Sequence, residues 1–274
     1  VLRKMHELSV TDKEKALSYL CIGATFFAMR SCEYLKSTHK EDSKRTNILR
    51  LRNIKFKKNG RVMNHKSPKL AQADLVMITF EFQKNNKRNR TVHMFKTEDK
   101  LLCPVKAWAY TVKRIIGTIP KATGDTKVCT HNDQGNIREL DSTYARAKIR
   151  GIVDLIGEEV LGFTKEDVGL HSIRSGGAMA MFLSGVSSII IQRIGRWESD
   201  SFLEYIREQV ESFTYGVSSK MLIFENFHHL NERENEKKYM NTMSEDPTWE
   251  DDGEPLVIPY SAHFSNQALN FTKL

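Results

Sequence analysis

Two apolar, strand-like runs joined by a short basic connection constrain this chain more than anything else in it. LVMITFEF (75–82) and TVHMF (91–95) are rich in β-branched and aromatic residues, and the stretch between them, QKNNKRNR, contains no apolar residue. Such a pattern predicts an antiparallel hairpin. Its tip carries Lys84, Lys87, Arg88 and Arg90 and no acid. A positively charged protrusion of that kind has the shape and sign to enter a DNA groove.

Most of the remaining chain reads as helix. Thr11 and Asp12 start one whose apolar positions continue to about Leu35. It includes ALSYLCIGATFFAM (16–29), a run too short to span a bilayer, which reads as a buried helix. ILRLRNIKFKKNGRVM (48–63) alternates in part and holds an Asn59–Gly60 turn signal. Pro104 opens a helix in the first-turn position that proline tolerates, and Gly117 closes it. A turn-rich patch around Gly124 and Asn132–Gly135 leads into a helix from about Ser142 to Leu155. Thr164-x-x-Asp167 resembles a capping box before a mainly helical stretch reaching Val210, divided by Gly185 and Gly195. Inside that stretch HSIRSGGAMA (171–180) accepts two adjacent glycines, each costing about 1 kcal/mol in a helix interior. Close backbone approach, to DNA or to a neighbouring helix, would justify them.

Charge narrows the function. The chain carries +8 formally, unevenly distributed. From residue 231 onward four basic residues face nine acidic ones, leaving 38 basic against 25 acidic in residues 1–230. Twelve Lys/Arg and two acids fall between Lys36 and Lys69. Clustering on this scale favours a polyanionic partner bound with release of counterions. The cysteines (Cys21, Cys32, Cys103, Cys129) form no CxxC pair, which argues against a zinc site or disulfide framework and for a reduced, intracellular protein.

Four places then ask for one explanation. Arg30 ends an apolar helix in FFAMRSCEYL, with Glu33 one turn on. Lys84 begins the hairpin tip. His171 and Arg174 share a helical face. Tyr205 follows Gly195 in IGRWESDSFLEYI. In this order, AMRSCEYL, FEFQKN, LHSIRSGGAMAMFLSGV and IGRWESDSFLEYI resemble the catalytic text of the tyrosine recombinase (phage integrase-type) family over roughly residues 10–215. The wording is most similar to recombinases of eukaryotic mobile elements such as Cryptons and DIRS-like elements.

The resemblance implies an α+β fold, a mainly helical catalytic domain with one small antiparallel sheet that presents the lysine hairpin. It divides the chain into a catalytic domain, 1–230, and an acidic tail, 231–274. It also implies that the family's N-terminal DNA clamp, for which the residues ahead of Arg30 are too few, is either truncated here or supplied elsewhere. It also implies site-specific cleavage and rejoining of double-stranded DNA in a tetrameric synapse. Arg30 and Arg174 would clamp the scissile phosphate, Tyr205 would attack it to give a 3′-phosphotyrosyl intermediate, and Lys84 would protonate the leaving 5′ oxygen. His171 would assist proton transfer or orient the phosphate. The residue that usually follows the glycine is His or Trp, so Arg196, which stands there, and Trp197, which comes next, are both candidate phosphate ligands. Lys87 rivals Lys84, and Tyr215 is the fallback nucleophile. No metal or cofactor is needed. A nuclear location is expected in a eukaryotic host, with no membrane association. Two alternatives stay open, a type IB topoisomerase and a domesticated, non-catalytic DNA-binding module. Of these, His171 argues against the topoisomerase.

Overall fold

A computed structural model describes residues 1–37, 47–82 and 88–197. Helix α1 (Leu2–Glu7) leads into α2 (Asp12–Phe26), whose start was legible from the sequence. Thr11 Oγ1 accepts the Glu14 N–H at 3.2 Å, and the Glu14 carboxylate accepts the Thr11 N–H at 3.1 Å. This is a closed capping box, satisfying donors that a helix start leaves unpaired. Ala16, Leu17, Leu20, Cys21, Ile22 and Ala24 are all buried, so α2 is enclosed rather than amphipathic. It packs against helix α4 (Pro104–Thr118), helix α7 (His171–Leu183) and strand β5 (Thr130–Asp133).

The expected single helix to Leu35 is in fact two. After Phe26 the backbone breaks, Ala28 takes φ +42°, and a one-turn helix α3 (Ser31–Tyr34) restarts the chain. Arg30 therefore stands at the N-cap of α3 and does not end a helix. Nothing local forces this break, since no glycine or proline lies between 24 and 35. What holds it is tertiary and is described with the site.

The sheet has four strands in the order β2–β1–β3–β4, all antiparallel: β1 (Ile54–Lys58), β2 (Arg61–Val62), β3 (Leu75–Phe82) and β4 (Arg88–Phe95). Asn59 and Gly60 both have positive φ and form the tight turn between β1 and β2. β3 pairs with β4 from Leu75↔Phe95 to Phe82↔Arg88. The connection is shorter than the eight residues read from sequence, because Arg88 and Arg90 belong to the strand. Period-2 alternation sends Phe56, Val76, Ile78, Phe80 and Val92 into the core, and leaves Lys55, Thr91 and His93 outside.

Within the turn-rich patch the sequence reading missed a second hairpin, β5 with β6 (Asn136–Glu139). Four-residue strands of mixed polarity leave little periodic signal. α4 begins at Pro104 as expected and ends at Thr118, running through Gly117. α5 (Ser142–Ile156), capped by Asp141 on the Tyr144 N–H at 2.8 Å, matches its expected span. A single-turn helix α6 (Glu158–Leu161) follows. The Thr164–Asp167 pair forms its side-chain bonds at 2.9 Å, yet α7 starts only at His171, so the motif caps a turn and no helix. Gly185, at φ +77°, separates α7 from α8 (Ser188–Gly195). The described residues belong to one unit of the chain, and no helix among them is long and apolar enough to cross a membrane.

Candidate active site

α7 answers the question posed by the paired glycines. Arg174, Gly177 and Ala178 lie on its buried face. A Cβ on Gly177 would overlap the Thr25 carbonyl oxygen of α2, so only glycine lets the two helices approach this closely. A Cβ on Gly176 would meet nothing within 4 Å. The approach is to a helix, and one glycine of the pair provides it.

That contact sets Arg174 beneath the break after α2. Although His171, three positions earlier on the same helix, is exposed, Arg174 is 1% exposed. Its Nη1 donates to the Ala28 carbonyl, and its Nη2 donates to the Gly195 carbonyl at 2.7 Å. The guanidinium also stacks on the Trp197 ring, 4.0 Å from the centroid. Arg196 treats the adjacent carbonyl in the same way. Its Nη1 donates to Phe27 O at 3.1 Å and to Ile194 O at 2.9 Å, and its guanidinium lies 3.6 Å from the Phe80 ring centroid. The last carbonyls of a helix have no partner within it. Two arginines, from α7 and the end of α8, satisfy the Phe27 and Ala28 carbonyls just past α2, and these long-range bonds hold the break there.

The same cluster holds Arg30. Glu33, 1% exposed, uses Oε2 to accept the Arg30 N–H at 2.8 Å and Arg196 Nη2 at 2.7 Å. The Arg30 guanidinium lies 3.5 Å from Glu33 Oε1 and keeps 24% of its side chain exposed. One buried carboxylate thus serves two arginines, while Arg174 adds a third cation nearby. The surplus of positive charge over a single carboxylate focuses potential on the surface where Arg30 emerges.

His171 opens α7 on that surface. Partial burial is the main cause of a lowered imidazole pKa, and the charges of Arg174 and Arg30 lower it further. Both cations are therefore near enough to act on the ring, and the neutral imidazole is favoured at neutral pH. Arg196 occupies the left-handed region at φ +59°, ψ +40° and caps α8, a conformation that costs a non-glycine residue about 1–2 kcal/mol. Its position turns the guanidinium inward onto Glu33.

The fold brings Arg30, His171, Arg174, Arg196 and Trp197 together from three separate parts of the chain. Lys84, Lys87, Tyr205 and Tyr215 lie outside the described residues, as does the proposed boundary at 230/231. Among the described residues no group of three or more His, Cys, Asp or Glu is placed to hold a metal ion.

The chain matches no protein-family model and no curated protein sequence. It is similar in structure to XerH site-specific recombinase bound to difH substrate in a pre-cleavage complex, with TM-score 0.50 and 16% identity over 82% of this chain and 51% of that one. The post-cleavage XerH complex with palindromic difH substrate gives TM-score 0.50 and 15% identity, over 80% and 49%. This chain thus spans about half the length of the recombinases it matches. It has the tyrosine recombinase fold. The α+β architecture, mainly helical with a small antiparallel sheet, is the one expected.

Within this tyrosine recombinase fold the sequence pointed to Arg30, His171 and Arg174, and to Glu33 as the acid one turn after Arg30. It gave no sign that Phe80 would floor Arg196, that Trp197 would cover Arg174, or that Phe27 and Ala28 would supply acceptors. Carbonyls carry no sequence signal. The alternation of β3 marks Phe80 as inward-facing, but not what it touches.

Proposed function

We propose that this protein cleaves and rejoins double-stranded DNA through a covalent tyrosine intermediate, as a site-specific recombinase. The observation that carries the reading is the convergence of Arg30, His171 and Arg174, whose parent segments are brought together by the bond from Arg174 to Ala28 across 146 residues. In this reading Arg30, whose side chain stays 24% exposed, donates to the scissile phosphate, and Arg174, buried with Nη1 and Nη2 on main-chain carbonyls, contributes its positive charge from beneath the site. The Tyr205 oxygen forms the bond to phosphorus as the bond to the 5′ oxygen breaks. Lys84 delivers a proton to that oxygen, and the neutral His171 imidazole is able to take up the phenolic proton. The tyrosyl phosphodiester keeps the energy needed for religation. The XerH structures, captured before and after cleavage on their own DNA, support this as precedent for the fold. A tetrameric synapse and an origin in a eukaryotic mobile element extend the same proposal.

A second reading has one observation in its favour. Arg174 is buried, with Nη1 and Nη2 on main-chain carbonyls, an arrangement that also fits a DNA-binding module without cleavage. Covalent trapping distinguishes the two. Nicked suicide duplexes are mixed with the wild-type protein and with Tyr205→Phe, and adducts are resolved on a denaturing gel. An adduct lost in Tyr205→Phe is expected. Salt-sensitive binding with no adduct would overturn the cleavage reading in favour of the module.

A further inference from the structure

We propose that Arg196 is a positioning residue for Arg30, acting through Glu33, and not a ligand of the phosphate. The inference rests on the reading in which Arg30 acts on the scissile phosphate, and it assigns a role to the residue that follows Gly195.

Three observations carry it. The Arg196 side chain is 0% exposed, and its partner Glu33 is 1% exposed. A phosphate could reach the guanidinium only after displacing the Phe80 ring or the carboxylate. Second, Nη1 and Nη2 already meet acceptors of the protein: Phe27 O, Ile194 O and Glu33 Oε2. Third, the Glu33 oxygen that accepts Arg196 also accepts the Arg30 N–H, at 2.7 and 2.8 Å. A planar fork that binds a carboxylate on one side and a carbonyl on the other fixes both at once, as a lysine ammonium does not.

The consequence is a rigid path. Arg196 holds Glu33, and Glu33 holds the backbone and guanidinium of Arg30 at the surface. Arg196 also rests on Phe80 of β3, which pairs with Arg90 of β4. The end of α8 is thereby tied to both the arginine corner and the β3–β4 pair. A small loss of registration at a reacting centre is amplified in rate, because positioning contributes heavily to catalysis.

The test is single-turnover cleavage of a suicide duplex at saturating DNA, with DNA affinity and thermal unfolding measured on the same proteins. Arg196→Gln is expected to slow cleavage by at least about tenfold while affinity changes by no more than about twofold. Arg196→Lys keeps the charge beside Glu33 and is expected to fall between wild type and Arg196→Gln, which keeps the test usable if Arg196→Gln folds poorly. In an Arg30→Lys background, Arg196→Gln is expected to cost no more than about a further twofold, because the two act along one path. Full multiplication of the two losses would place Arg196 on the phosphate and overturn the inference while leaving the recombinase reading intact. Lowered unfolding temperature with an unchanged rate at saturating DNA would reduce Arg196 to a purely structural residue and would likewise overturn it. A wild-type protein that forms no adduct overturns the reading and the inference together.

Discussion

Gly177 of α7 lies against the Thr25 carbonyl of α2 with no room for a methyl group. This contact lowers α7 far enough for Arg174 to reach Ala28 O and for His171 to emerge beside Arg30. Helix–helix distance, set by one hydrogen atom in place of a side chain, is therefore a determinant of the site.

Gly177→Ala is expected to destabilise the protein by about 1–3 kcal/mol, since the obstacle is backbone and cannot rotate away. Gly176→Ala, on the open side of the same helix, is expected to be neutral or to stabilise by up to about 1 kcal/mol through helix propensity. Urea unfolding of the two variants measures the contrast. Equal effects would refute the packing account.

Glu33→Ala leaves the Arg196 guanidinium buried without its carboxylate. Breaking a buried pair by removing one partner costs about 3–5 kcal/mol, much more than loss of a surface ion pair. Lys165, whose ion pair with Asp154 at 3.0 Å is solvent-exposed, serves as the comparison, and Lys165→Ala is expected to leave stability nearly unchanged. Thermal unfolding of both variants checks the ordering.

The His171 imidazole is expected to titrate below the ordinary 6.5, chiefly through burial and further through Arg174 and Arg30. A lowered value in the folded state means that the unfolded chain binds the proton more readily below 6.5. This residue's contribution to stability is therefore full above that pH and declines as pH falls towards the folded value. Arg30→Ala removes one of the cations and should raise the His171 pKa. Histidine NMR titration of wild type and variant reads both. An unchanged value in Arg30→Ala would show that Arg30 does not act on the ring.

At the opposite end of α2 from the break, Glu14 closes the capping box and meets Lys148 Nζ at 2.6 Å. The hydrogen bond from Lys148, followed by the Thr11 N–H, holds its carboxyl down to about 2 against an ordinary 4.5. The stabilisation this gives is present above about 4.5 and is lost as pH falls towards 2. Lys148→Met should raise the Glu14 pKa and move the acid unfolding limb to higher pH. An acid limb that stays in place would rule out the pair as a determinant.

Much of this molecule was determined by the sequence alone. The Thr11–Asp12 helix start, Pro104, Asn59–Gly60 and the alternation of β3 each name a local conformation, because their signals act over a few residues. Arg30, Glu33, His171 and Arg174 were likewise visible, through the ordered resemblance of their segments to tyrosine recombinase catalytic text. Other features were decided only by tertiary structure. The break after Phe26, the burial of Arg174, the inward turn of Arg196 and the stacking on Phe80 and Trp197 all join segments far apart in the chain. The acceptors at the break are main-chain carbonyls, identical at every residue, and they become distinctive only when α7 and α8 bring two guanidiniums to the end of α2.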